Sequence, residues 1–248
     1  MLSAAHPAAP RAYPARSRFR GRLIAVEGVD GSGKSTQIRL LLEWLRAAGH
    51  EVHLTAWNSS PLVHAALRDA KRARSLTPRT FCLMHAADLA DRLEREIVPR
   101  LRAGHLVLAD RWVCTALARD QAREVDPAWI RAVYAFAPRP RLGVYFRVPV
   151  DVAAGRILAS RPELKYYEAG LDLDLAADPS ASFRLFQQRV AHHYDRLVRS
   201  ERLAVIDGME SVGAQQVRLR TLVAAALSGY REVQALPAAA RPQIPPPA

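Results

Sequence analysis

Ten consecutive residues, Glu27-Gly28-Val29-Asp30-Gly31-Ser32-Gly33-Lys34-Ser35-Thr36, hold the side-chain types and spacing that grip a polyphosphate. The run fits G-x-x-x-x-G-K-[ST] at Gly28, Gly33, Lys34 and Ser35. Gly28, Gly31 and Gly33 let the chain curl through Val29, Asp30 and Ser32 so that backbone N–H groups turn inward on phosphate oxygens. Lys34 is expected to reach the β- and γ-phosphates, and the Ser35 hydroxyl to take a Mg²⁺ position. A helix opening at Lys34, Ser35 and Thr36 adds its positive end. The chemistry is the binding of a nucleoside triphosphate with Mg²⁺. Such loops serve kinases, motors, GTPases and DNA-handling ATPases alike, so the motif alone names no reaction.

A second group follows at Leu106-Val107-Leu108-Ala109-Asp110-Arg111-Trp112, where an apolar run ends in an acid and a base. At a strand end in a parallel sheet, these two side chains face the same crevice as the loop. Asp110 could then hold Mg²⁺ through water, and Arg111 could fork onto a second phosphate. Taken alone, the pair is as readily a structural ion pair.

Positioning these groups requires strands that end at one edge. Short apolar runs at Leu23–Glu27, Val52–Ala56, Leu106–Asp110, Leu142–Val148 and Ala204–Asp207 read as strands. Helix-period segments separate them. One carries Ile38, Leu41, Leu42 and Leu45 and stops at Gly49; another runs from Phe81 to Leu101 and stops at Gly104. Strands alternating with helices predict an α/β domain in three layers (α/β/α), with a five-stranded parallel sheet covered on both faces. The expected domain spans residues 21–230, between a basic tail at 1–20 and a Pro-rich tail at 231–248.

Composition sets looser bounds. Half of the 248 residues are apolar and 24% are charged, as in globular proteins. No apolar run approaches the ~18 residues of a membrane span. The net charge is +12, of which five arginines before Leu23 supply +5 with no acid beside them. Such a surplus favours anionic partners. Yet three lysines stand against thirty-three arginines, a bias that a GC-rich genome would produce without any functional pressure. Cys82 and Cys114 sit in apolar-periodic stretches and read as buried small hydrophobes, which suits a reducing, cytoplasmic setting.

In order and spacing, these motifs resemble the thymidylate kinase family of P-loop nucleoside monophosphate kinases. That family shows E-G-x-D-x-x-G-K-[ST], a long helix ending in Gly before a strand, D-R-[YWHF], a strand-helix unit, a basic lid and a late strand ending in Asp. Here the matches are Glu27-Gly28-Val29-Asp30, Gly104, Asp110-Arg111-Trp112, Tyr145-Phe146-Arg147-Val148-Pro149 and Val205-Ile206-Asp207. They cover roughly residues 22–225. The resemblance implies that Asp30 meets the acceptor's sugar 3′-hydroxyl, Arg111 clamps the acceptor phosphate and Asp110 sits on the Mg²⁺ side. It implies ATP as donor, dTMP as acceptor, dTDP as product and a homodimer. Some members place an Arg after the loop Asp; Gly31 stands there in this chain, so the compensating cation must come from a lid at about 160–170, where Arg161 and Lys165 are the candidates.

The acceptor pocket departs from the family pattern. Aligned by distance to Asp110, the family's F-x-x-x-R positions are His85 and Leu89. An imidazole can stack on a base, but Leu89 cannot donate a hydrogen bond, and Arg92 lies one turn too far along. Arg119 replaces the aromatic expected near the sugar, and Trp57 stands after the second strand, where it could stack on a base. Other acceptors on the same fold, or a non-kinase P-loop ATPase, therefore remain open alternatives on the sequence alone, with nucleic acid the less favoured partner. Lys71-Arg72-Ala73-Arg74 reads as a solvated helix end, and His192-His193 as surface or packing residues.

Overall fold

The structure is a computed structural model and describes residues 19–160 and 163–230. The tail expectations, save for Phe19 and Arg20, and the lid residue Arg161 lie outside that range.

Five strands form one sheet: β1 (Arg22–Glu27), β2 (Val52–Ala56), β3 (Leu106–Asp110), β4 (Leu142–Arg147) and β5 (Ala204–Asp207). Their order is β2-β3-β1-β4-β5 and every neighbouring pair is parallel. The expected strands match in number and, within a residue, in extent. Strand residues alternate between two cores. Leu23, Ala25, Val107, Ala109 and Tyr145 face one, and Ile24, Val26, Leu106, Leu108, Val144 and Phe146 face the other. In the central strands β1, β3 and β4 both faces are apolar because both are covered, which is why these strands read as continuous hydrophobic runs.

The helices are α1 (Lys34–Ala47), α2 (Pro61–Arg72), α3 (Pro78–Arg92), α4 (Val98–Ala103), α5 (Val113–Gln121), α6 (Pro127–Val133), α7 (Val150–Ser160), α8 (Pro179–Ser200) and α9 (Val212–Ala226). Helices α1 and α9 cover one face through Ile38, Leu41, Leu45, Leu219 and Val223. Helices α3 to α6 and α8 cover the other, through residues such as Leu89, Leu101, Leu117, Ile130 and Phe186. Four helix starts share one device: Ser60, Thr77, Asp126 and Asp178 each accept a backbone N–H with their side chain, and each precedes a Pro. The cap satisfies an otherwise orphan donor, while Pro contributes a preset φ and no N–H that would need a partner.

The long segment expected from Phe81 to Leu101 is continuous but not uniform. Leu93–Ile97 winds as a π-helix between α3 and α4, just ahead of Pro99. Proline removes one helical donor, and a wider turn absorbs the mismatch. Gly104, at φ 97°, then ends the helix and turns the chain into β3.

Candidate active site

Strands β1 and β3 are neighbours, with Val26 paired to Asp110, so their carboxyl ends bring the two sequence groups together. Arg111 leaves β3 with its N–H donating to the Val26 carbonyl at 3.0 Å and with φ 73°. A non-glycine residue in this region stores of the order of 1–3 kcal/mol of strain. The conformation turns the Arg111 guanidinium back over the loop, where Nη1 donates to the Gly28 carbonyl at 3.1 Å and Nη2 to Asp30 Oδ1. The other Asp30 oxygen faces Arg119 Nη1 at 3.6 Å. Asp30 thus lies between two arginines supplied by β3 and α5.

The loop itself is tightly built. At Gly31, φ is 81° and an added Cβ would collide with the Ala153 carbonyl of α7, so only glycine fits. Gly33, at φ 86°, precedes α1 without a side-chain cap and with open space around it. That arrangement presents the first amides of α1 to an anion. Lys34 is buried and folds back into the loop, donating to Val29 O at 2.8 Å and to Ser32 Oγ at 3.2 Å. Burial, then the charge of Arg111, push its pKa down to about 7 against the pull of Asp30, Asp110 and Glu27. Val29 and Ser32 are buried, while Ser35 and Thr36 are exposed at the helix mouth.

The donor set fits a divalent cation. Asp110 Oδ1 is buried and has no hydrogen-bond partner among the described residues, an arrangement that costs free energy unless a ligand completes it. A hard oxygen donor beside a hydroxyl-bearing loop suits Mg²⁺.

A cavity of about 590 Å³ opens beside Asp30, Asp110 and Arg111. Trp57, His85 and Arg119, three of the positions expected to contact the acceptor, line it. Trp57 and His85 are stacked, 5.6 Å between centroids and 29° between planes, and Phe81 lies 4.2 Å from the same imidazole. Leu89 is fully buried in the core and Arg92 is turned beneath β2, held by Asp88 and Thr55. Neither lines the cavity. Lys165, a candidate lid cation, lines the same cavity with Nζ 3.2 Å from Glu168.

Three contributors were given no individual role in the site from the sequence. Arg156 of α7 reaches the loop at Gly31 O and also Gly208 O, both at a long 3.4 Å, and so brings a cation to the position that lacks the family's loop Arg. Lys71, expected to be solvated, is half-buried in the cavity wall. It shares one stripe of α2 with the buried Val63 and Leu67, at i, i+4 and i+8, a spacing that the sequence did contain.

The third is Glu27, fully buried at the end of β1. It accepts from Trp112 N–H at 2.9 Å, Thr115 Oγ1 at 2.6 Å and Tyr194 OH at 2.9 Å. Burial raises its pKa to about 7, outweighing those hydrogen bonds and the charge of Arg111. The folded protein therefore holds a proton that the unfolded chain releases near 4.5. The stability this adds is fully present below 4.5 and lost as pH rises through 7. The swing is of the order of 3 kcal/mol. Glu27→Gln should flatten that slope: thermal unfolding of the nucleotide-free protein at pH 5 should match wild type, and at pH 8 the variant should be the more stable. Parallel pH profiles for the two proteins would rule out a titrating Glu27.

Residues 26–218 match the profile of a family described as thymidylate kinase. The chain is 40% identical over 206 residues to "Probable thymidylate kinase 2" of Saccharolobus solfataricus, covering 83% of this chain and 96% of that protein. It is 30% identical over 201 residues to "Probable thymidylate kinase" of Pyrococcus horikoshii, covering 78% and 91%.

Proposed function

The chain belongs to the thymidylate kinase family, and from that membership we propose how its residues share the transfer of a phosphoryl group from ATP to dTMP, giving dTDP and ADP. Phosphoryl transfer asks the protein mainly for alignment and charge neutralisation.

The triphosphate lies on residues 28–36, with Lys34 swinging from Val29 O and Ser32 Oγ onto the β- and γ-phosphates. Ser35 and Asp110 would hold Mg²⁺, which would supply charge neutralisation at the phosphates. Arg111 draws in the acceptor phosphate, and Asp30 meets the sugar hydroxyl at the mouth of the cavity. The new bond joins an oxygen of the acceptor phosphate to the γ-phosphorus. The bond to the β-phosphate bridging oxygen breaks, leaving ADP. Arg161 and Lys165 belong to the lid, which closes over both nucleotides and keeps water from intercepting the phosphoryl group. Arg156 adds positive charge beside Gly31.

The observation that best supports this division is Arg111 itself, a strained residue that spans the gap between the loop and the cavity while contacting Gly28 and Asp30. Among the described residues no helix is long and apolar enough to cross a membrane. Two free buried cysteines suit a cytoplasmic enzyme. The exposed Leu83 and Phe136 offer apolar surface for pairing as a homodimer.

The test is ADP release with Mg²⁺-ATP and a panel of nucleoside monophosphates, nucleosides and DNA. Turnover with dTMP well above the rest is expected. ATP hydrolysis stimulated by DNA, or turnover confined to a nucleoside, would overturn the reading.

A further inference from the structure

We propose that Lys71 reads the acceptor's base, donating to the C4 carbonyl of the pyrimidine in place of the hydrogen-bond donor that Leu89 cannot supply. The inference rests on the thymidylate reading above and assigns the specificity of that same site.

Helix α3 gives the cavity no cation for the base, because Leu89 is in the core and Arg92 is engaged by Asp88 and Thr55. The basic residues that do line the cavity differ in their commitments. Arg111 and Arg119 are held at Asp30, Arg68 and Arg72 are exposed, and Lys165 meets Glu168. Lys71 alone among them lies within the aromatic wall. Its Nζ is 5.5 Å from the Phe81 ring centroid and 3.4 Å from His85 Nε2.

The tautomer of that histidine follows from its partners. His85 Nδ1 lies 2.7 Å from the Phe81 carbonyl, which can only accept, so Nδ1 carries the proton. Burial, then the charge of Lys71, hold the His85 pKa well below its usual value and keep the ring neutral. Its Nε2 is therefore an acceptor and takes one N–H of Lys71. An ammonium has three, and two remain for a ligand. His85 is thus a positioning residue: packed on Trp57 and Phe81, it fixes the ammonium against the aromatic wall of the cavity. Burial pushes the Lys71 pKa down to about 8, with Arg119 the next cause, so the ammonium is incompletely solvated and gains from a carbonyl acceptor.

The chemistry selects among bases. A ketopyrimidine such as thymine presents a carbonyl where cytosine presents an amino group. An ammonium facing an amino group leaves donors unpaired on both sides, and such mismatches discriminate strongly. Lys71 therefore separates keto- from aminopyrimidines.

The experiment compares kcat and KM for dTMP and dCMP in wild type, Lys71→Met and Lys71→Arg, with ATP affinity and thermal unfolding measured alongside. Lys71→Met keeps the length and loses the donors. It should lower kcat/KM for dTMP about 10²-fold, mainly through KM, and lose most of the preference over dCMP. Its ATP affinity should be unchanged, because the donor site lies elsewhere. Lys71→Arg should recover part of the preference. A Lys71→Met enzyme with dTMP kinetics and dTMP-to-dCMP preference within about threefold of wild type would overturn the inference while leaving the thymidylate reading intact. The inference also fails if Lys71→Arg, stably folded and binding ATP, behaves no better than Lys71→Met. Wild-type protein inert toward every nucleoside monophosphate would instead overturn the reading itself, and the assignment of Lys71 with it.

Discussion

Lys34→Met should lower kcat about 10³-fold. In the nucleotide-free protein the lysine is sequestered against Val29 O and Ser32 Oγ, with a pKa near neutrality because it is buried beside Arg111. A pKa of about 7 leaves the amine largely neutral at pH 8. Arriving phosphates supply the negative charge that its surroundings lack and draw a proton onto it. The cation is thus assembled by binding, and methionine, of similar length, cannot assemble it. A second signature follows. Calorimetry at pH 8 in buffers of different ionisation enthalpy should register uptake of up to about one proton when wild type binds Mg²⁺-ATP, and markedly less for Lys34→Met. Equal uptake by both proteins would move the titrating group elsewhere, and undiminished turnover would remove Lys34 from the transfer.

Arg111→Ala should cost about 10³-fold or more in kcat/KM for dTMP, with affinity for ATP little changed. Its guanidinium joins the loop to the acceptor side through Gly28 and Asp30. Removing it takes away the acceptor clamp and, among the described residues, leaves Arg119 as the arginine facing Asp30. A comparison with Arg111→Gly separates side chain from backbone. At φ 73° a glycine rests without strain, so Arg111→Gly should be more stable than Arg111→Ala by about 1 kcal/mol, read from thermal unfolding. Both should be equally impaired in turnover. If Arg111→Gly recovers activity, the backbone turn rather than the guanidinium is what the reaction needs. If the two variants unfold at the same temperature, the positive φ is not a source of strain.

The two predictions together describe a site held partly unsatisfied before its ligands arrive. Lys34 has its pKa lowered to about 7, Asp110 Oδ1 and Arg119 Nε are unpartnered among the described residues, and Glu27 has its pKa raised to about 7. Each feature has the same origin, which is polar groups crowded at the carboxyl ends of β1 and β3 with little water around them. Polyphosphate and divalent metal are the ligands that relieve such a set.

What could be read before folding was whatever local pattern enforces. Leu106–Asp110 is a strand over the residues expected, because a central strand covered on both faces is apolar almost throughout; the edge strands Val52–Ala56 and Ala204–Asp207 also match, although Leu54 and Val205 are exposed. The phosphate loop was equally plain, since its glycines answer to backbone geometry within a few residues of themselves. Tertiary structure alone set the order β2-β3-β1-β4-β5, which puts Arg111 against a loop more than eighty residues earlier. It decided that Asp30 sits between Arg111 and Arg119, and that α2 packs with its Val63–Leu67–Lys71 stripe inward, turning an apparent surface charge into part of the cavity wall. Charge state belongs to the same class. A glutamate that ends a strand is an ordinary acid until Trp112, Thr115 and Tyr194 enclose it and water is excluded. Local patterns are enforced by neighbours in the chain, whereas burial and charge depend on neighbours that only folding brings near.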